Sequence, residues 1–361
     1  MLLRTKIQTD SLPRYLGNDT DDFATAVDLA TNENRLGPSP LALQAYAEAS
    51  ADLFRYPDSA HRRLKSALSE RFSVAAGKIA CGAGSDELIS MLARLFAGPG
   101  DEVLYPEFSF IMFLRYALRV GATPMPAPTS GYRLFVDGIL ERLSARTSIV
   151  FVANPNNPTG SYLNKSEIRR LASSIPRHIP LVLDCAYADY ADDPDYSDGL
   201  DLIEEFENVI VLRTFSKLYA LASLRIGWCF AASSLVDKLD RLRGPYNLSG
   251  AAQAAAVQAI LDHDHQQVSL QHNSLWRTRL TQELSQLGLD VEPSAGNFIT
   301  VIFGSSQTAD NAYRFLLGRG LLTRPLHDYA MPECIRITVG RADDNERVME
   351  AFHDYRELHR I

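Results

Sequence analysis

The sequence has little of what would tie it to a disulfide framework, a membrane or a nucleic acid. Only four cysteines occur, Cys81, Cys185, Cys229 and Cys334, far apart and without a CxxC pair. That argues against a metal or disulfide framework and for reduced, buried thiols. No stretch approaches the roughly eighteen apolar residues of a membrane-spanning helix. Positive charge is not in excess, since 36 Lys and Arg against 44 Asp and Glu leave a net charge of −8. Neither nucleic acid nor an anionic membrane is therefore an expected partner. The N-terminal MLLRTKIQTDSLPRY has no apolar signal-peptide core, and a cytoplasmic protein is expected. His263 and His265 share the stretch LDHDHQQ, but side chains two apart on a helix splay away from each other. They read as surface residues, and no metal site is expected. A dinucleotide fingerprint is also missing, because Glu87 stands where the third glycine of GxGxxG should be in GAGSDE.

Lysine is scarce too, with six in 361 residues. Of these, Lys217 alone directly follows a buried strand pattern, Val209 to Leu212, and precedes an apolar segment. An amine held in such a place loses preference for its charged form and can serve as a nucleophile or Schiff-base former. A lone lysine in this position is more often one snorkelling from a helix start. Other stretches shift the balance.

A 46% hydrophobic and 22% charged composition fits a globular enzyme of one large domain plus a smaller one. Past the loop TNENRLGPSP, Pro40 can open a helix. Glycines 82 and 84 then lead to Ser85 and Asp86, placed where a helix N-cap belongs. The exposed N–H groups and dipole of such a helix start suit an anion, although GAGSDE taken alone reads equally as a plain capped helix. From Asp101, strand-like runs (EVLYP, SIVFVA, IPLVLD, ENVIVLRT) alternate with helical ones, and Asn164 with Glu167 makes a capping pair. This pattern predicts an α/β fold whose mostly parallel sheet is covered by helices, with ligands at the carboxyl ends of the strands. Asn157, Asp184, Ser216 and Lys217 all fall just after strand ends. A long helical region runs from about 249 to 287. Strands around one helix follow, then a last amphipathic helix, which predicts a small α+β unit. We expect a large domain at 37–265, and an N-terminal arm (1–36) joined to a small C-terminal domain (266–361).

One ligand would use these groups together: a phosphorylated cofactor with a carbonyl and a basic ring nitrogen. Lys217 would take the carbonyl, Asp184 the ring proton, Tyr187 and Asn157 the ring oxygen. Phe108 would cover the ring face, and Ser85, Asp86, Thr214, Ser216 and Arg225 would surround the phosphate.

The blocks NPNNPTG, DCAYADY, TFSKLYALASLRIGW and IRITVG resemble those of the fold-type-I, pyridoxal-phosphate-dependent class I/II aminotransferases. NENRLGPSP, RYPD and GAGSDELI resemble the histidinol-phosphate aminotransferase group within it. The resemblance implies pyridoxal 5′-phosphate as cofactor, an aspartate-aminotransferase-like fold, and Lys217 as the Schiff-base lysine with Asp184 and Tyr187 as its catalytic companions. It also implies a homodimer with shared sites, in which Tyr56 reaches the neighbouring subunit's cofactor phosphate. Tyr15, Asn34, Asn157 and Arg336 would meet the substrate. The expected reaction passes an amino group from L-histidinol phosphate to 2-oxoglutarate, in histidine biosynthesis. An aromatic or specialised biosynthetic aminotransferase, or a threonine-phosphate decarboxylase, would share the scaffold. Departures lie at Arg35, where the motif has proline; near Tyr15, displaced within PRYLGND; and at Ala220 and Ser223, which replace glycines. They bear on the substrate arm more than on the cofactor site.

Overall fold

The structure is a computed structural model that describes residues 26–359. In chain order its strands are β1 (Val27–Asp28), β2 (Ile79–Gly82), β3 (Glu102–Pro106), β4 (Thr123–Ala127), β5 (Thr147–Ala153), β6 (Leu181–Asp184) and β7 (Val209–Thr214). They continue with β8 (Gly227–Phe230), β9 (Asp290–Glu292), β10 (Phe298–Ile302), β11 (Leu321–Leu322), β12 (Arg324–Leu326) and β13 (Met331–Thr338).

The β-branched and aliphatic runs that read as strands are buried on both faces, as a helix-covered parallel sheet requires. Their residues alternate between two cores. Val150, Val152, Leu181, Leu183, Val209 and Val211 enter one, while Ile149, Phe151, Val182, Ile210 and Leu212 enter the other. Seven strands form this sheet in the order β2-β8-β7-β6-β5-β3-β4. It is parallel except for β8, which runs antiparallel to both β2 and β7. The expected α/β architecture is present. Because β5, β6 and β7 are parallel neighbours, the turns after Ala153, Asp184 and Thr214 open at one edge.

Helices follow the local signals. Ser39 caps the helix Pro40–Ala49, with proline at its start. Asn164 and Glu167 form the expected reciprocal capping box. Ser85 and Asp86 differ from expectation: the N-cap of Ser85–Phe96 is Gly84 at φ +82°, and they are the first two helical residues. Glycine takes the cap because a side chain there would be both strained and obstructed. The region 249–287 is two helices, Gly250–Leu261 and His263–Gln286. The break is at Asp262, whose side chain accepts from His265 N–H at 3.1 Å.

The second sheet, β12-β13-β10-β9, is antiparallel. Leu29 packs into its core with Trp276, Ile299, Ile337 and Phe352, and β1 pairs with β11. The chain just before the 31–37 loop is thereby tied to the C-terminal unit.

Candidate active site

A cavity of about 550 Å³ lies at the carboxyl edge of the large sheet and reaches β13. Lys217 enters from the turn after β7. Its amine donates to the carbonyls of Thr31 (3.0 Å) and Asn32 (3.1 Å) and lies 5.6 Å from the Tyr187 ring centre. Burial, aided by the positive charge of Arg336, pushes this amine down to about 7, with Glu33 opposing. Asp184 ends β6 and is 5% exposed. Its carboxyl is pushed up to about 7 by burial, against the pull of the Ala186 N–H. Its Oδ1 is buried without a hydrogen-bond partner. A buried lone carboxyl oxygen is costly unless something pairs with it.

Tyr187, after the β6 turn, accepts at its hydroxyl from Asn32 Nδ2 at 2.9 Å; burial raises it to about 12. Arg336, on β13, donates through Nη1 to Asn157 Oδ1 and through Nη2 to the Ala30 carbonyl. Its Nε is buried with no partner. Asn157 and Arg336 thus meet across the two sheets at one wall.

The opposite end is a cationic cradle. Arg225 donates to Ser216 Oγ at 3.3 Å and to the Ala222 carbonyl at 3.0 Å. Thr214 Oγ1 is 3.0 Å from Ser216 Oγ and accepts from Ser216 N–H at 3.1 Å. The Arg225 guanidinium lies against the N-terminus of Ser85–Phe96 so closely that a Cβ on Gly84 would be 2.4 Å from Nη2. A Cβ on Gly227 would be 2.3 Å from Ser85 N. Two glycines therefore let a guanidinium, two hydroxyls and helix N–H groups converge, which suits a phosphate. Asp86 lines the cavity, and its Oδ2 accepts from Tyr116 OH at 2.6 Å.

Some expected residues lie elsewhere. Phe108 is not on the cavity wall; it sits at φ +50° with its ring edge-on to Tyr132, 5.1 Å between centres. Phe110 lines the wall instead. Asn34 points away from the cavity, donating to the Leu218 carbonyl (2.8 Å) and Ser269 Oγ (3.1 Å). Tyr56, expected at the neighbouring subunit's site and not at this one, is 82% exposed and stacks on Tyr246 at 4.5 Å. Tyr15 lies outside the described residues. His265 is half-buried, its Nε2 3.0 Å from the Gly37 carbonyl. Glu33, of the NENRLGPSP block, lines the cavity without having been singled out, as do Arg119, Arg324 and Tyr329, which no motif marks. Among the described residues no cluster of His, Cys, Asp or Glu could hold a metal ion, and no helix is long and apolar enough to cross a membrane.

The family pattern Aminotransferase class I and II matches residues 24–352. The chain belongs to the class I and II aminotransferases. It is 45% identical over 332 residues to the histidinol-phosphate aminotransferase of Roseobacter denitrificans, covering 92% of each chain. It is 44% identical over 328 residues to that of Rhodospirillum centenum, covering 91% of each. The crystal structure of histidinol-phosphate aminotransferase from Sinorhizobium meliloti in complex with pyridoxal-5′-phosphate superposes with a TM-score of 0.90 at 27% identity, over 98% of this chain and 99% of that one. Aspartate aminotransferase from Thermus thermophilus shares the fold, with a TM-score of 0.81 at 20% identity over 92% of each. For an aminotransferase, the strand-end placement of Lys217, Asp184 and Asn157 puts its polar groups where this sheet topology collects ligands.

Proposed function

We propose that this aminotransferase uses pyridoxal 5′-phosphate to pass the amino group of L-histidinol phosphate to 2-oxoglutarate, in histidine biosynthesis. The observation that carries the reading is the unpartnered Oδ1 of Asp184, buried in the cavity that also holds Lys217. That oxygen fits a ring N–H, and the cradle of Arg225, Ser216 and the Ser85–Phe96 N-terminus fits a phosphate. When bound, the cofactor supplies an aldehyde that captures amino groups and a ring that takes up electrons from the substrate's α-carbon. Asp184 would keep a proton on the ring nitrogen, Tyr187 and Asn157 would hold the ring oxygen, and Phe110, which is on the wall where Phe108 is not, would supply the aromatic cover. Lys217, whose amine is lowered by burial and so disposed toward its neutral form, would move the proton at the α-carbon. Arg336 holds the anionic group of the donor or acceptor.

The enzyme acts as a cytoplasmic homodimer, in keeping with its four buried, unpaired cysteines. Tyr56 serves the neighbouring subunit's phosphate. The exposed Leu53 and Phe54 beside it, 72% and 79% exposed, supply apolar surface of the kind that marks a contact. The test is glutamate formation from L-histidinol phosphate and 2-oxoglutarate, absent in Lys217→Ala. Transfer from aromatic amino acids alone would overturn the donor. Carbon dioxide release from L-threonine phosphate without glutamate would replace the reaction class.

A further inference from the structure

The wall of the cavity is unevenly charged. Four arginines, Arg119, Arg225, Arg324 and Arg336, line it with Lys217, against three acidic residues, and Arg324 is already paired with Asp328 at 3.3 Å. Two of the carboxylates are committed: Asp184 is buried at the strand end and Asp86 is held by Tyr116. Glu33 is exposed and, among the described residues, takes part in no hydrogen bond or salt bridge. Its backbone is pinned on both sides. Asn32, at φ +56°, donates its N–H to Thr338 Oγ1 (3.0 Å) and its amide to Tyr187 (2.9 Å). Asn34 is anchored to Leu218 and Ser269. The residue that carries this free carboxylate is thus held in the wall by its neighbours, next in the chain to the Asn32 carbonyl that receives the Lys217 amine. Glu33 is also the foremost group favouring the charged form of that amine.

We propose that Glu33 selects the amino donor by accepting a hydrogen bond from its imidazole N–H. The inference rests on the donor named above. In L-histidinol phosphate the α-carbon carries a phosphorylated arm on one side and an imidazole arm on the other. A site with Arg336 at one side of Lys217 and a free carboxylate at another matches that pairing. L-Glutamate carries a carboxylate where L-histidinol phosphate carries its imidazole, so it gains no hydrogen bond from Glu33, and the residue sets the ratio between the two donors.

The experiment compares kcat/KM for L-histidinol phosphate and for L-glutamate in wild type, Glu33→Gln and Glu33→Asp holoenzymes. Losing a hydrogen bond to a charged group should lower kcat/KM for histidinol phosphate about ten- to a hundred-fold in Glu33→Gln. The value for glutamate should change little, and Glu33→Asp should recover part of the loss. No loss, or an equal loss with both donors, overturns the assignment, the latter by showing a disturbed loop. Wild-type enzyme that ignores histidinol phosphate while transaminating glutamate brings down the proposed donor itself, and the inference with it. That outcome is seen before any variant is compared.

Discussion

At the residue scale, the two groups displaced furthest toward each other are Lys217 and Asp184, an amine lowered and a carboxyl raised to about 7. Both shifts have the same first cause, burial, which penalises each charged form. Between 3.8 and about 7 the folded cofactor-free protein keeps a proton on Asp184 that the unfolded chain has lost. Stability therefore falls as pH rises through that window. Between about 7 and 10.5 the unfolded chain keeps a proton on Lys217 that the folded one has lost, and stability rises. Asp184→Asn removes the first effect. In urea unfolding of the cofactor-free proteins, the variant should gain on wild type by up to about 1.4 kcal/mol per pH unit in the lower window. Parallel pH curves would show that Asp184 is not shifted. Asp184→Ala holoenzyme should keep its yellow colour while turnover drops about 10²- to 10⁴-fold; near-normal turnover would remove Asp184 from the mechanism. Both residues were legible in sequence because Asp184 ends an apolar strand and Lys217 follows the next within three residues, inside blocks that resemble a known family. The aromatic cover was not. Phe108 and Phe110 are two apart, and nothing in the local sequence says that Phe110 lines the cavity while Phe108 sits in a left-handed turn. Arg119 and Arg324 carried no pattern at all, since a single arginine looks the same on a wall or on the surface.

At the scale of the element, the site depends on how closely β8 and the β2 turn press on the helix Ser85–Phe96. Gly227→Ala would place its Cβ 2.5 Å from the Gly84 carbonyl carbon, against backbone that cannot swing aside. We expect destabilisation of about 1–3 kcal/mol and weaker uptake of pyridoxal phosphate. Thermal melting and cofactor titration check these, and unchanged uptake would detach the cradle from that contact. Asn164→Ala, far from the cavity, should cost about 1 kcal/mol through the lost capping box and leave cofactor uptake alone. That box was readable because both partners lie within one turn. The cap at Gly84 was misplaced, because Ser and Asp ordinarily outrank glycine there. Here the Arg225 guanidinium fills the space that a side chain at 84 would need. The break at Asp262 is not legible in the sequence, because a single aspartate hardly interrupts an Ala- and Gln-rich helical pattern.

At the scale of the molecule, alternation of strands and helices disclosed the parallel sheet, but not the reversal of β8, which has no local signature. Assembly belongs to this scale. A homodimer should be seen by sedimentation. Tyr56→Phe should bind cofactor more weakly, and dimers mixing Tyr56→Phe with Lys217→Ala subunits should recover one intact site. A monomer in solution would contradict the shared site. The central claim, that Lys217 and Asp184 hold pyridoxal phosphate for transfer from L-histidinol phosphate, meets its most direct test in one visible absorption spectrum. The purified protein should be yellow, lose the band when L-histidinol phosphate is added, and regain it with 2-oxoglutarate. A protein that stays colourless even after pyridoxal phosphate is supplied would contradict the account from Lys217 outward.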